Sequence, residues 1–179
     1  MRIVKFILFG LAALVVLLLI IALILPGTYR IEKSVEIKSP VDSVFAQVSD
    51  YNKFKLWNPW SLSDPKATFT VSGSAATVGH KYDWSGETIG KGGLTITEVV
   101  PNKSLVAKLA FIEPQVSGAD DIWAFEPTAS GGTKVVWVNS GALAFPMERL
   151  FGPFLTKMLN KQFEEGLNNL KNVCEKGKL

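Results

Sequence analysis

The chain has 179 residues, of which 47% are hydrophobic and 11% aromatic, and its formal charge at pH 7 is +3. Because Arg2 and Lys5 precede a long apolar run, the remainder is nearly neutral, which is not typical of a nucleic-acid-binding protein. With one cysteine, Cys174, an intrachain disulfide is excluded, and with one histidine, His80, a zinc site or a Cys–His catalytic pair is disfavoured. We expect no metal and no cofactor.

Residues 6–25 are uncharged and rich in Leu, Ile, Val and Ala. As a helix they span about 30 Å, the thickness of a bilayer core. A cleaved signal peptide is the alternative, but the run is longer than a usual signal core, and its Leu-Pro-Gly exit has no small-residue cleavage site. We therefore predict a single-pass membrane anchor over residues 1–27 and a soluble domain over 28–179. The positive leading end favours a domain outside the cytoplasm, in the periplasm where the cell has one.

Polar and apolar residues alternate from residue 29 to 38, which predicts a strand with one buried face. Lys33 lies in phase with the apolar face, either extending its amine to solvent or binding an acidic ligand group. A short helix should follow, with Ser39 as its cap and Pro40 as its first residue.

A second short helix is predicted over residues 50–56. The next stretch carries Trp57 and Trp60 among prolines, which predicts an irregular loop. Its tryptophans either close one end of the core or line a pocket.

Six further strands are predicted, separated by turns that contain glycine, and the short links between them indicate an antiparallel sheet together with the first strand. Their ranges are Lys66–Ser72, Lys81–Ser85, Leu94–Val100, Ser104–Phe111, Asp121–Glu126 and Thr133–Ser140. Their inward faces are rich in Trp and Phe.

A long amphipathic helix is predicted from Pro153 to Lys176, with Gly177 as its C-terminal stop. Gly166 lies within its apolar stripe, where glycine costs about 1 kcal/mol relative to alanine. Either close packing on the sheet or a cavity wall explains this glycine.

The order of these elements fits an α+β helix-grip fold, in which a seven-stranded curved antiparallel sheet surrounds the C-terminal helix. Over residues 28–176 the chain resembles the SRPBCC superfamily of START lipid-transfer domains, birch-pollen-type allergens and polyketide cyclase/dehydrase domains, most closely the membrane-anchored bacterial branch of the last group. The resemblance rests on Ile37-Lys38-Ser39-Pro40, Trp57-Asn58-Pro59-Trp60, Tyr82-Asp83-Trp84-Ser85-Gly86, the stretch from Ile96 to Asn102, and the stretch from Phe163 to Lys171.

This resemblance implies an apolar cavity between sheet and helix that accepts a lipid, polyketide or similar hydrophobic molecule. In the alternative, the same side chains fill a solid core. The residues expected to line the cavity are Trp84, Leu94, Ile96, Leu109, Phe111, Trp123, Phe125, Val135, Trp137, Leu155, Met158 and Phe163.

Two other functions stay open. A cyclase or dehydratase needs an acid or base in the cavity, and the candidates are Glu98, His80, Lys33, Tyr82 and Asn139, of which Glu98 and His80 are expected to be exposed. A membrane-side protein-interaction domain would use the longest strand connection, which holds Glu113-Pro114 and Asp120-Asp121.

Overall fold

The computed structural model describes residues 2–179, with side chains from residue 3 onward. The chain runs through an N-terminal helix, a strand, three short helices, six strands and a long C-terminal helix. In chain order these are α1 Arg2–Ile24, β1 Thr28–Ile37, α2 Val41–Ser49, α3 Tyr51–Phe54, α4 Pro59–Ser63, β2 Thr68–Ser72, β3 Lys81–Gly86, β4 Gly90–Val100, β5 Ser104–Glu113, β6 Ser117–Pro127, β7 Thr133–Ala142 and α5 Met147–Lys176.

The strands form one curved antiparallel sheet in the order β1-β7-β6-β5-β4-β3-β2. Consecutive strands from β2 to β7 are neighbours because their connections are short. β1 closes the order by pairing with β7, and α5 packs along β1 and against α2 and α4. The predicted α+β helix-grip fold is confirmed.

Period-two alternation places the large side chains of the central strands on the face that meets α5. Trp123 of β6 stacks on Trp137 of β7 with ring centroids 4.1 Å apart, and Trp137 in turn contacts Phe163 of α5 at 4.0 Å. Leu167 and Leu170 extend the buried stripe of α5. The core therefore lies between the middle of the sheet and the second half of α5.

The short helices differ from the prediction at their ends. Ser39 is not a side-chain cap: its hydroxyl donates to the carbonyl of Cys174, which ties the start of α2 to α5. The stretch expected to be irregular contains α4, because Pro59 occupies the first helical position and the Asn58 side chain accepts from the N–H of Trp60.

The C-terminal helix begins at Met147 rather than at Pro153. Its early start is held by the Glu148 carboxylate, which accepts from the N–H of Ala144 at 2.6 Å. Pro153 lies inside the helix on its exposed side, where the missing N–H costs one internal hydrogen bond without breaking the helix. Gly177 ends the helix in the left-handed conformation, as predicted.

Two features of the sheet differ from the predicted strands. The register between β4 and β5 shifts between Ile96 and Glu98, so that Glu98 leaves the inward face and is exposed. The connection expected to hold Asp120 and Asp121 is much shorter, because β6 begins at Ser117. Asp121 is therefore a buried strand residue and not part of a solvated loop.

Candidate ligand-binding cavity

A cavity of about 720 Å³ lies between the sheet and the first half of α5. Its wall consists mainly of apolar and aromatic side chains from β3 to β7, α4 and α5. This volume lies within the range of small-molecule sites, roughly 300–1,000 Å³. The interior of the fold is therefore not a solid core at this end.

Eight of the twelve residues expected to line a cavity lie on its wall: Trp84, Leu94, Leu109, Phe111, Trp137, Leu155, Met158 and Phe163. The other four are packed in the core and do not reach it: Ile96, Trp123, Phe125 and Val135. These four lie toward the end of the sheet covered by α2, where Phe45 packs edge-on against Phe125 with centroids 5.4 Å apart. The wall also contains Tyr29, Trp60, Phe69 and Asp121, which were not on the predicted list.

A polar network crosses the aromatic wall at Asp121. The Trp137 indole N–H donates to Asp121 Oδ1 at 2.7 Å, and the Trp123 indole N–H donates to Oδ2 at 2.8 Å. The Asn139 amide donates a longer bond of 3.4 Å to Oδ1 and accepts from the Tyr29 hydroxyl at 2.9 Å. Asn139 lies opposite Asp121 in the β6–β7 register, which brings the two side chains to one face.

Burial raises the pKa of Asp121 to about 6, against the lowering effect of the hydrogen bonds from Trp137, Trp123 and Asn139. Burial also raises the pKa of Tyr29 to about 12, and the neighbouring Asp121 charge adds to this shift. The tyrosine is thus a neutral hydrogen-bond donor at physiological pH, and Asp121 is the buried group of the cavity that can change its charge.

The sequence contains a signal for the burial of Asp121. Asp121 is in strict alternation with Trp123 and Phe125, which places all three on the inward face of β6. A carboxylate next to two tryptophans on one buried face has indole N–H groups within reach. This signal is hidden when β6 is predicted to begin at Asp121, because the first residue of a strand resembles a turn residue.

Of the five acid–base candidates, Tyr82 and Asn139 line the cavity, and Asn139 belongs to the network at Asp121. The Tyr82 ring stacks on Phe69 with centroids 5.6 Å apart, and its hydroxyl is 2.8 Å from the hydroxyl of Ser61 on α4. Burial raises the pKa of Tyr82 to about 12, although the bond with Ser61 lowers it. Lys33 lies half-buried on β1 outside the cavity wall, and Glu98 is exposed as predicted.

His80 is buried, which makes the expected exposure wrong. Its Nε2 accepts from the N–H of Tyr51 at 3.0 Å, and its Nδ1 lies 3.1 Å from the carbonyl of Ser72 and 3.2 Å from that of Gly73. This bonding assigns the proton to Nδ1. The ring stacks on the Tyr51 ring at 4.7 Å and joins the β2–β3 turn to α3.

Gly166 serves close packing and not the cavity. A Cβ at this position would lie 2.8 Å from Cζ3 of Trp137 and 3.3 Å from Cδ of Pro59. Gly166 does not line the cavity, whereas Trp137 does. The glycine therefore lets α5 approach the indole that forms part of the wall.

The mouth of the cavity opens between the first turns of α5 and the β5–β6 turn. Three apolar side chains of α5 line it while remaining largely exposed: Met147 at 59%, Phe151 at 60% and Phe154 at 70%. We call these three residues the lip. On the opposite side of the mouth are Pro114, Gln115 and Ser117.

The mouth lies beside the end of α1. Leu143, which lines the cavity, donates from its N–H to the carbonyl of Gly27 at 2.8 Å. The Arg149 side chain covers Gly27, where a Cβ would lie 2.9 Å from its Nη2. α1 also packs against α5. α1 is long and apolar enough to cross a bilayer, a property that a signal sequence shares.

A curved antiparallel sheet that encloses an apolar cavity against one long helix defines a class of ligand-binding folds. A family model described as "Polyketide cyclase / dehydrase and lipid transport" matches residues 28–175, and the chain belongs to this family. The resemblance to polyketide cyclase/dehydrase domains seen in the sequence is therefore confirmed. The family's description combines polyketide chemistry with lipid transport.

Solved structures show the same fold at low sequence identity. The Aha1 dimer from Colwellia psychrerythraea is 19% identical, with a TM-score of 0.60 over 84% of this chain and 99% of that chain. Protein MLL2253 from Mesorhizobium loti is 16% identical, with a TM-score of 0.63 over 84% of this chain and all of its own. DynU16, a putative protein in the dynemicin biosynthetic locus, is 17% identical, with a TM-score of 0.58 over 86% of this chain and 49% of its own. No curated protein matches the sequence.

Proposed function

We propose that this protein is a membrane-tethered binding module for a hydrophobic small molecule, such as a lipid or a polyketide, held between the sheet and α5. The observation that carries the proposal is the 720 Å³ cavity with its aromatic wall. Apolar ligand surface buried there contributes roughly 25 cal/mol per Å². The polar groups at Asp121, Asn139 and Tyr29 set the orientation of the ligand.

The tether is supported by the junction between α1 and the cavity mouth. We assign residues 1–27 to the anchor and 28–179 to the binding domain. The bond between Gly27 and Leu143 leaves no flexible linker between them. The exposed lip then faces the bilayer surface from which α1 emerges, so a molecule entering the mouth comes from the membrane.

The polar groups of the cavity favour binding over acid–base catalysis. Tyr82 is bonded to Ser61, and the oxygens of Asp121 receive indole N–H groups. A general acid or base needs a titratable group directed at the reacting atom of the substrate. Glu148, the other carboxylate of the wall, accepts from the N–H of Ala144 and from the Gln115 amide. These groups are thus engaged within the protein, which favours binding over the cyclase or dehydratase alternative.

The cavity is tested by filling it. Leu109 lines the cavity, whereas its neighbour Ala110 points to the exposed face of β5. We expect Leu109→Trp to lose a molecule that the wild-type full chain and Ala110→Trp retain in native mass spectrometry from lipid nanodiscs. Equal retention in all three proteins, each with an unchanged melting temperature, would contradict binding in the cavity.

The tether is tested separately on protein from native membranes. The intact mass should equal that of the whole chain, since cleavage would remove α1. Protease added to cells with a permeabilised outer membrane should then digest the binding domain, as expected for the extracytoplasmic side. A shortened chain would identify α1 as a signal sequence.

A further inference from the structure

The charged groups on the cavity wall have one sign. Among its described residues, Asp121 and Glu148 carry carboxylates, and none is Lys, Arg or His. Glu148 lies at the mouth, where it also holds the start of α5 through Ala144. An anionic ligand such as a fatty acid would bring a third negative charge into this space without a basic partner.

Asp121 lies deeper than Glu148 and has no basic partner in the part of the chain that the structure describes. Its neighbours are the donors Trp123, Trp137 and Asn139, and none of them is charged. A buried charge without an opposite charge is costly. The pKa of Asp121 is raised to about 6 for this reason, because burial disfavours the ionised carboxylate.

The aromatic groups around Asp121 supply the apolar part of the site. Trp137 lines the cavity and bonds to Asp121 through its indole N–H. Its ring packs against those of Trp123 and Phe163, with centroids 4.1 Å and 4.0 Å apart. A cation beside Asp121 would thus be held by the carboxylate, and a hydrocarbon chain would lie against the rings.

We propose that the cavity selects an amphiphile with a protonated amine, whose ammonium group binds at Asp121 while its hydrocarbon lies against the aromatic wall. This inference rests on the proposed binding function and names the ligand class. A neutral hydroxyl donates to the same carboxylate but gains no charge attraction, and a carboxylate head group is repelled. The expected order of affinity is ammonium, then hydroxyl, then carboxylate.

If Asp121 only held the two indoles in place, affinity would not follow this order of head groups. Ligands that differ only in the head group therefore distinguish ligand binding by Asp121 from a purely structural role. Three probes share one chain and differ only at the end: dodecylamine, which is protonated at neutral pH, dodecanol and dodecanoate. The full chain in zwitterionic lipid nanodiscs is dialysed to equilibrium against each radiolabelled probe, and Leu109→Trp discs provide the background from the bilayer itself.

After the Leu109→Trp background is subtracted, we expect dodecylamine to bind at least about tenfold more tightly than dodecanoate. A difference of this size is typical of a hydrogen bond to a charged group. Asp121→Asn should bring dodecylamine close to dodecanol, because it removes the charge attraction that only the amine gains. Any wild-type order in which the amine is not first overturns the inference, even where Asp121→Asn does not fold. Retention of no probe above the Leu109→Trp background would instead overturn the binding function.

Discussion

The N–H of Leu143 donates to the carbonyl of Gly27, so the cavity wall is joined to the short segment between the apolar helix and β1. Leu143 lies on the sheet side of the mouth, and Gly27 lies between the end of α1 at Ile24 and the start of β1 at Thr28. In the proposed membrane-tethered arrangement, a rigid junction of this kind fixes the mouth relative to the bilayer, where a flexible linker would not. The junction therefore also determines where the exposed lip on α5 lies.

We therefore predict that the lip lies in lipid. A spin label at Phe154→Cys, in a Cys174→Ser background, should collide with oxygen dissolved in phosphatidylcholine vesicles and be protected from a water-soluble nickel chelate. The control is Val100→Cys, because Val100 is half-exposed at the other end of the sheet. Its label should show the reverse accessibility. Equal nickel accessibility at both positions would mean that the mouth opens to water.

A second prediction concerns stability against pH. The pKa of Asp121 rises from 3.8 to about 6 on folding, so the folded state holds its proton more tightly than the unfolded state. The free energy of unfolding should fall as pH rises from about 4 to 6, by on the order of 3 kcal/mol. Asp121→Asn should remove this slope, as measured by denaturant unfolding of the full chain in detergent at each pH.

The other titratable groups near Asp121 leave this comparison intact. Burial and the Asp121 charge raise the pKa of Tyr29 and of Tyr51, so both phenols stay neutral throughout the range. The hydrogen bond from the Lys38 N–H lowers the pKa of Glu175. This shift changes the free energy of unfolding with pH in the opposite direction, but equally in the wild type and in Asp121→Asn. A wild-type slope that Asp121→Asn retains would assign the pH dependence elsewhere.

Most of the fold was predictable because alternation in the strands and three- to four-residue spacing in the last helix are local signals. The same alternation placed Trp84, Leu109 and Phe111 on the inward face that lines the cavity. Alternation alone puts Glu98 in phase with Leu94 and Ile96; a bulge shifts the register there and a single sequence does not reveal one, although the exposure of Glu98 was predicted. The start of α5 was predicted wrongly, because Pro153 looked like a first helical residue.

The polar interior was harder to predict than the apolar wall. The burial of His80 depends on the N–H of Tyr51, 29 residues away, which needs an acceptor inside the core. The network at Asp121 depends on indole N–H groups from two strands meeting one carboxylate. Such long-range pairings have no local periodicity, so the sequence pattern alone does not predict them.

Two glycines of α5 should respond oppositely to the same substitution. In Gly166→Ala the new Cβ meets Trp137 at 2.8 Å, and this indole is held by its bond to Asp121. We expect overpacking of about 1–3 kcal/mol to exceed the gain in helix propensity of about 1 kcal/mol. In Gly152→Ala the Cβ meets Cδ1 of Leu143 at 2.8 Å, but this methyl can rotate away.

Gly152→Ala should therefore raise the melting temperature, and Gly166→Ala should lower it. Differential scanning calorimetry of the two variants in the same detergent measures both shifts. A change of the same sign in both would show that the rigidity of Trp137 does not limit the approach of α5 to the sheet.

The last prediction tests whether His80 stabilises the fold or takes part in ligand binding. His80→Phe keeps an aromatic ring against Tyr51 but leaves the Tyr51 N–H without its acceptor and removes the Nδ1 donor shared by Ser72 and Gly73. We expect a loss of about 2 kcal/mol in the free energy of unfolding and no loss of a bound molecule, because His80 does not line the cavity. Glu98→Gln, at an exposed position, should change stability by less than about 0.5 kcal/mol. Loss of the bound molecule at unchanged stability in His80→Phe would instead place His80 in the functional site.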